Sequence, residues 1–142
     1  MEEKKSSMKR ILVGYDGSEG AEKALAKALT LIEENGEIIL LAVIPSKSEK
    51  SFVDAEAYKL AKERAQQLLQ EKLDSIKSED FVITPIIERG DAAEKIIDTA
   101  SKKECDLIIL GRHGHSEISP STLGNVAEKV VTHAHKPVMV VK

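Results

Sequence analysis

The sequence predicts an α/β fold: one doubly wound, five-stranded parallel sheet with strand order 3-2-1-4-5. Three observations predict it. Apolar runs of strand length alternate with longer segments of helical period, the signature of repeated βαβ units. The strand-length runs are apolar almost throughout, as strands covered on both faces must be. Right-handed crossovers must also reverse their winding somewhere to cover both faces of the sheet. The two most glycine-rich loops, Gly14-Tyr15-Asp16-Gly17-Ser18 and Gly111-Arg112-His113-Gly114, follow the first and fourth strands, between which that reversal would lie.

The elements follow in order. Ile11 to Tyr15 reads as the first strand, and Ser18 as the cap of a helix from Glu19 to Glu34. Its stripe is Ala21, Ala24, Leu25, Ala28, Leu29 and Ile32, with Gly36 placed to stop it. Ile38 to Ile44 is the second strand, ended by Pro45, and a polar loop runs from Ser46 to Ser51. The second helix, Asp54 to Lys77, carries Ala61, Ala65, Leu68, Leu69, Leu73 and Ile76 at spacings of three and four. Val82 to Ile87 is the third strand; a helix through Ala93, Ile96, Ile97 and Ala100 follows Gly90-Asp91. Leu107 to Leu110 is the fourth strand. A turn-rich stretch from Gly111 to Leu123 leads to a helix from Asn125 to Ala134, and Pro137 introduces the last strand, Val138 to Val141. Residues 1–9 read as a charged, flexible tail and 10–142 as one domain.

Composition narrows the function classes. With 42% hydrophobic and 32% charged residues, the 142-residue chain is neither disordered nor fibrous. At this length folding removes roughly 68% of the unfolded surface from water, enough for a core without disulfides or structural metal. The one cysteine, Cys105, closes no internal disulfide and favours a reducing, cytoplasmic setting. Lys plus Arg number 21 against 24 acids, a formal charge of -3 that supplies no broad cationic field for nucleic acid or an anionic membrane. No apolar run approaches the roughly 20 residues needed to cross a bilayer. Nucleic acid and membrane are therefore not expected partners.

The glycine pattern carries the chemistry. Gly111 and Gly114 follow a strand directly and Gly124 opens a helix, so main-chain amides around Gly124, Asn125 and Val126 would offer a positive pocket to phosphate oxygens. Ordinary turn chemistry is the alternative for glycines after a strand, and placement at the winding reversal favours phosphate. Neither a Gly-x-Gly-x-x-Gly after the first strand nor a Gly-Lys-Ser/Thr phosphate loop is present, which disfavours a dehydrogenase or a P-loop motor. Asp16 reads as a turn residue in Asp-Gly-Ser, or as a carboxylate that accepts from ribose or base donors or meets a phosphate-bound Mg²⁺. His113 is a second candidate phosphate contact. The pairs His113/His115 and His133/His135 lack the cysteines or carboxylates that would complete a metal shell. Cys105, before an apolar strand, reads as a packing residue. Ser116, Ser119, Ser121 and Thr122 around Pro120 read as a solvated loop.

Gly111-x2-Gly114-x9-Gly124-Asn125, with Val13-Gly14-Tyr15-Asp16-Gly17-Ser18 near the start and His135-Lys-Pro-Val-Met-Val-Val141 at the end, resembles the universal stress protein family over nearly the whole chain. The resemblance implies a Rossmann-like domain of the adenine nucleotide alpha hydrolase type, commonly dimeric, with ATP at the winding reversal in one branch. Carried over by position, Tyr15 and Asp16 would line the adenosine side and the main chain of Val43 would meet the adenine edge. Gly111, Arg112 and Gly114 would face ribose and phosphate; Gly124, Asn125 and Val126 would complete the cradle. The family's ATP-binding pattern has Ser or Thr where this chain has Asn125, which shifts the expectation from ATP towards AMP or another adenosine ligand. The function expected is a cytoplasmic, adenine-nucleotide-binding regulatory or stress-response module. The alternatives are a slow Mg-dependent ATPase or phosphotransferase, and a ligand-free dimeric interaction module. As the outer strand of this order, Val138 to Val141 would leave an open apolar edge, and two copies meeting there antiparallel would form a homodimer.

Overall fold

Ile11, Leu12 and Val13 are fully buried, as a strand flanked on both edges and covered on both faces must be. They form the centre of β1 (Arg10–Gly14) in the computed structural model, which describes residues 8–46, 52–113 and 123–142. The elements that follow are α1 (Glu19–Leu31), β2 (Glu37–Ile44), α2 (Phe52–Ser75), β3 (Val82–Arg89), α3 (Ala92–Lys102), β4 (Leu107–Gly111), α4 (Asn125–His133) and β5 (Val138–Val141). Every strand pairing is parallel and the order is β3-β2-β1-β4-β5, as predicted.

Successive strand residues point to opposite faces, so each strand feeds two cores. Ile11, Val13, Ile38, Leu40 and Ile109 lie under α1 and α2, against Ala24, Leu25, Ala28 and Leu69. Leu12, Ile39, Leu41, Ile108 and Leu110 lie under α3 and α4, against Ile96, Ala100, Ala127 and Val130. Burying each such Leu, Ile or Val contributes about 1.5–3 kcal/mol. Cys105 belongs to the second core, and burial pushes its thiol up to about 11. It is the packing residue the sequence implied.

Three expectations need correction. Met8 and Lys9 are not tail: the Met8 carbonyl accepts from Glu33 N at 3.2 Å and Lys9 N donates to Asp106 Oδ2 at 3.0 Å. Residues 1–7 lie outside the described residues. Helix α1 ends at Leu31 rather than Glu34, and the left-handed residue after it is Asn35 (φ 68°), not Gly36. Asparagine tolerates that conformation; Gly36 is needed because a Cβ there would meet Glu33 O and Ile32 at 2.9 Å. Finally, β3 continues past Ile87 through Glu88 and Arg89. As the outer strand it has one unpaired edge, where charged residues are tolerated and useful.

Candidate functional site

α1 leaves the carboxyl end of β1 towards one face of the sheet, while α4, which follows β4, packs on the other. The two connections diverge, and a cavity of about 330 Å³ opens between them, within the roughly 300–1,000 Å³ range of small-molecule sites. Its apolar wall is formed by Leu41, Val43 and Pro45 of β2 and its exit, together with Ala92 and Ile96 of α3. Asp16, Arg112 and His113 supply the polar groups, and Val126 and Ala127 bring in the first turn of α4.

The wall at Val43 has a directional main chain. Tyr15 N donates to Leu41 O at 2.8 Å, and the β1–β2 register ends at Gly14 and Leu41. Strand residues of one parity face one neighbour, and Gly90 N to Ile44 O shows the even ones facing β3. Val43, two residues past the last β1 partner, therefore directs its N–H and C=O into the gap. A donor beside an acceptor on one edge suits a planar heterocycle with the reverse pattern.

The β1–α1 loop is held by its own side chains. Asp16 Oδ1 accepts from Ser18 N at 3.0 Å, and Ser18 Oγ accepts from Ala21 N at 3.2 Å, capping α1. Gly17 has φ 80° and faces Leu68 of α2. Tyr15 is buried, and its hydroxyl donates to Glu22, whose other carboxylate oxygen is 2.9 Å from Lys72 Nζ of α2. Burial, followed by the Glu22 hydrogen bond and charge, pushes the Tyr15 hydroxyl well above its usual range. Burial also raises Glu22, but the Tyr15 hydrogen bond and Lys72 outweigh it and hold the carboxyl below its ordinary value.

Helix ends supply the electrostatics. α1 is capped by Ser18 and α3 by Asp91, whose side chain accepts from Glu94 N at 3.0 Å. α4 begins after Gly124 with no side-chain cap. The amides of Asn125, Val126 and Ala127 have no intrahelical acceptor, and they sit at the positive end of the helix. Among α1, α3 and α4, this start is the one left without a side-chain cap.

A family model described as the universal stress protein family matches residues 8–142. The chain belongs to the universal stress protein family. It is 31% identical over 140 residues to universal stress protein MJ0531 of Methanocaldococcus jannaschii, with 94% of this chain and 82% of that protein covered. The solved structure of protein MJ0577 from the same organism superposes with a TM-score of 0.88 at 32% identity, covering 96% of this chain and 97% of that one. Two further structures share the fold: an Arabidopsis thaliana universal stress protein family protein with AMP bound (TM-score 0.68, 20% identity, 94% and 90% covered) and a universal stress protein in complex with cAMP (TM-score 0.65, 24% identity, 96% and 99% covered).

In this universal stress protein Tyr15, Asp16, Val43, Gly111, Arg112 and Val126 meet at the same cavity. Gly124 and Asn125 do not line it, and the Gly124 amide is already spent on Arg112 O at 3.0 Å. The free amides therefore begin one residue later than the glycine pattern implied. Gly114, His115, Ser116, Ser119, Ser121 and Thr122 lie outside the described residues, as do residues 47–51. Pro45, Ala92, Ile96 and Ala127 were not singled out from sequence, because apolar cavity walls look like core in a hydrophobicity pattern. Among the described residues no group of three His, Cys, Asp or Glu side chains is placed to hold a metal ion. Among the described residues no helix is long and apolar enough to cross a membrane.

Proposed function

We propose that this chain binds an adenine nucleotide at the winding reversal and acts as a regulatory module of the universal stress type. The observation that carries the reading is the pairing, across one cavity, of an apolar slot ending in the outward main chain of Val43 with the uncapped start of α4. The slot suits a base, and the α4 amides suit a phosphate. Asp16, which also lines the cavity, is the residue we assign to the adenosine side. AMP and cAMP are the ligands of two proteins of the same fold, which supports the ligand class; the residues of this chain carry the assignment. Regulation requires only that the ligand bind one conformation or assembly better than another. A second copy paired through β5 is the assembly we propose.

Calorimetric titration with AMP, ADP and ATP tests the reading. Saturable binding of at least one, weakened by Asp16→Ala and by Val126→Asp, is the expected result. No binding of any of the three rejects the ligand class.

A further inference from the structure

The strand end that forms the base wall is gripped from behind by a group that has no part in the cavity itself. Arg89, the last residue of β3, donates Nε to Ser46 Oγ at 3.1 Å, and its guanidinium carbon lies 4.3 Å from the centre of the Tyr58 ring on α2. Next to it Gly90 N donates to Ile44 O at 3.0 Å, with Gly90 in a conformation (φ 142°) that side chains rarely adopt. The segment Val43–Ser46 is thereby held at two successive points beyond the last β1 contact. On α2, Tyr58 is half-buried while its neighbours Ala55, Glu56, Ala57, Lys59 and Leu60 are exposed. The ring is what this part of the helix brings against the sheet, and Arg89 is what it meets.

We propose that Arg89 is a positioning residue for base recognition: bridging Ser46 and Tyr58, it fixes the angle at which the Val43 main chain and the Pro45 ring present themselves to the ligand. The inference rests on the adenine-nucleotide reading of the cavity. A planar guanidinium both stacks on an aromatic face and donates in a fixed direction, which an ammonium group cannot do together. Loosening it frees the base wall and leaves the amides of α4, on the far side of the cavity, in place. The loss therefore falls on discrimination between bases and spares the anion end.

The test compares AMP with IMP, which reverses the hydrogen-bonding pattern at the base edge while keeping the same ribose and phosphate. Wild type is expected to prefer AMP, and Arg89→Met to shrink that preference about tenfold, mainly through weaker AMP binding. Arg89→Lys, which keeps a cation over the ring but lacks the fixed donor, should fall between. Ser46→Ala removes one hydroxyl and should shift the ratio in the same direction, so the test survives an Arg89→Met chain that does not fold. Equal weakening of AMP and IMP in these variants, as a purely structural role predicts, overturns the inference and leaves the site reading intact. Wild type that binds neither AMP nor IMP overturns this inference, and it overturns the site reading as well when ADP and ATP also fail to bind. Wild type that binds both equally overturns the inference alone.

Discussion

A methyl group built on Gly111 would lie 2.5 Å from the main-chain carbon of Gly20, and one built on Gly20 would lie 2.5 Å from the main-chain oxygen of His113. Both neighbours are backbone, which cannot swing aside as a side chain can. Gly111 is therefore glycine so that β4 can run against the first turn of α1, and its place beside the cavity is a consequence of that approach. Gly111→Ala is expected to lower stability by about 1–3 kcal/mol, the usual range for overpacking, as a lower urea midpoint. An unchanged midpoint would mean that the two backbones separate freely. Gly20 escaped the sequence reading because a glycine inside a helical pattern looks like a tolerated defect; its partner is distant along the chain. Tyr15 makes a different point. Its name in a glycine-rich loop implies a ligand contact, yet its hydroxyl is directed to Glu22 and Lys72. The sign of its titration follows. Tyr15 is raised from its ordinary 10.0, so the folded state keeps a proton that the unfolded chain loses, and stability is present below that pH and falls as pH rises beyond it. Glu22 is lowered from 4.5, so its contribution is present above that value and is lost as pH falls through the lower folded value. Urea midpoints measured against pH should show a steeper alkaline fall in wild type than in Tyr15→Phe, and a steeper acid fall than in Lys72→Met. Parallel curves would remove the triad from the pH response.

At the scale of elements the contrast among helix starts decides what the site can hold. Ser18 and Asp91 spend their side chains on their own helices, while α4 starts on a glycine. Gly124 has φ -67° and ψ 161°, open to any L residue, so its lack of a side chain is not demanded by the backbone there. Gly124→Asp would supply the missing cap. The expected outcome is a small gain in stability of the ligand-free protein, about 0.3–1 kcal/mol from the carboxylate at the helix start, together with AMP binding weakened by about tenfold or more through charge repulsion. Thermal melts with and without AMP measure both in one experiment; a variant that binds AMP as tightly as wild type would detach α4 from the anion site. The order and type of all nine elements were legible in the sequence because apolar runs and helical periods separate strand from helix in each βαβ unit, and at α1 and α3 a capping residue agrees with them, as Ser18 does with the Ala21-Ala24-Leu25-Ala28 stripe. What was not legible was lateral: which residues of Val82–Arg89 lie on an open edge, that Arg89 reaches Tyr58 and Ser46, and that the Gly124 amide turns to Arg112. These depend on contacts between elements, which no local pattern encodes.

Over the whole molecule, the order β3-β2-β1-β4-β5 leaves two edges open among the described residues, and they are unequal. Val82 N donates to Gly36 O and Gly90 N to Ile44 O, so even-numbered residues of β3 face β2 and the odd ones face outward. Pro85 is odd. Its ring stands where an outward N–H would be, at the middle of the strand, and a proline there blocks further pairing at no cost to the existing ladder. β5 carries no such guard. Pro137 O accepts from Ile108 N and Val141 O from Arg112 N, so the odd carbonyls face β4 and the main chains of Val138 and Val140 face outward. With Val-Met-Val-Val along it, half-buried throughout, this edge offers both pairing groups and apolar side chains. Two chains meeting antiparallel there would satisfy the same groups on each by two-fold symmetry, whereas pairing through β3 would meet Pro85. Sedimentation equilibrium is therefore expected to report a dimer for wild type and for Pro85→Val, and a monomer for Val140→Pro. That last variant deletes an outward donor and none of those that face β4, so its loss of pairing should come with an intact far-ultraviolet spectrum. A wild type that sediments as a single chain at every concentration would leave β5 open and remove the assembly through which bound nucleotide could act.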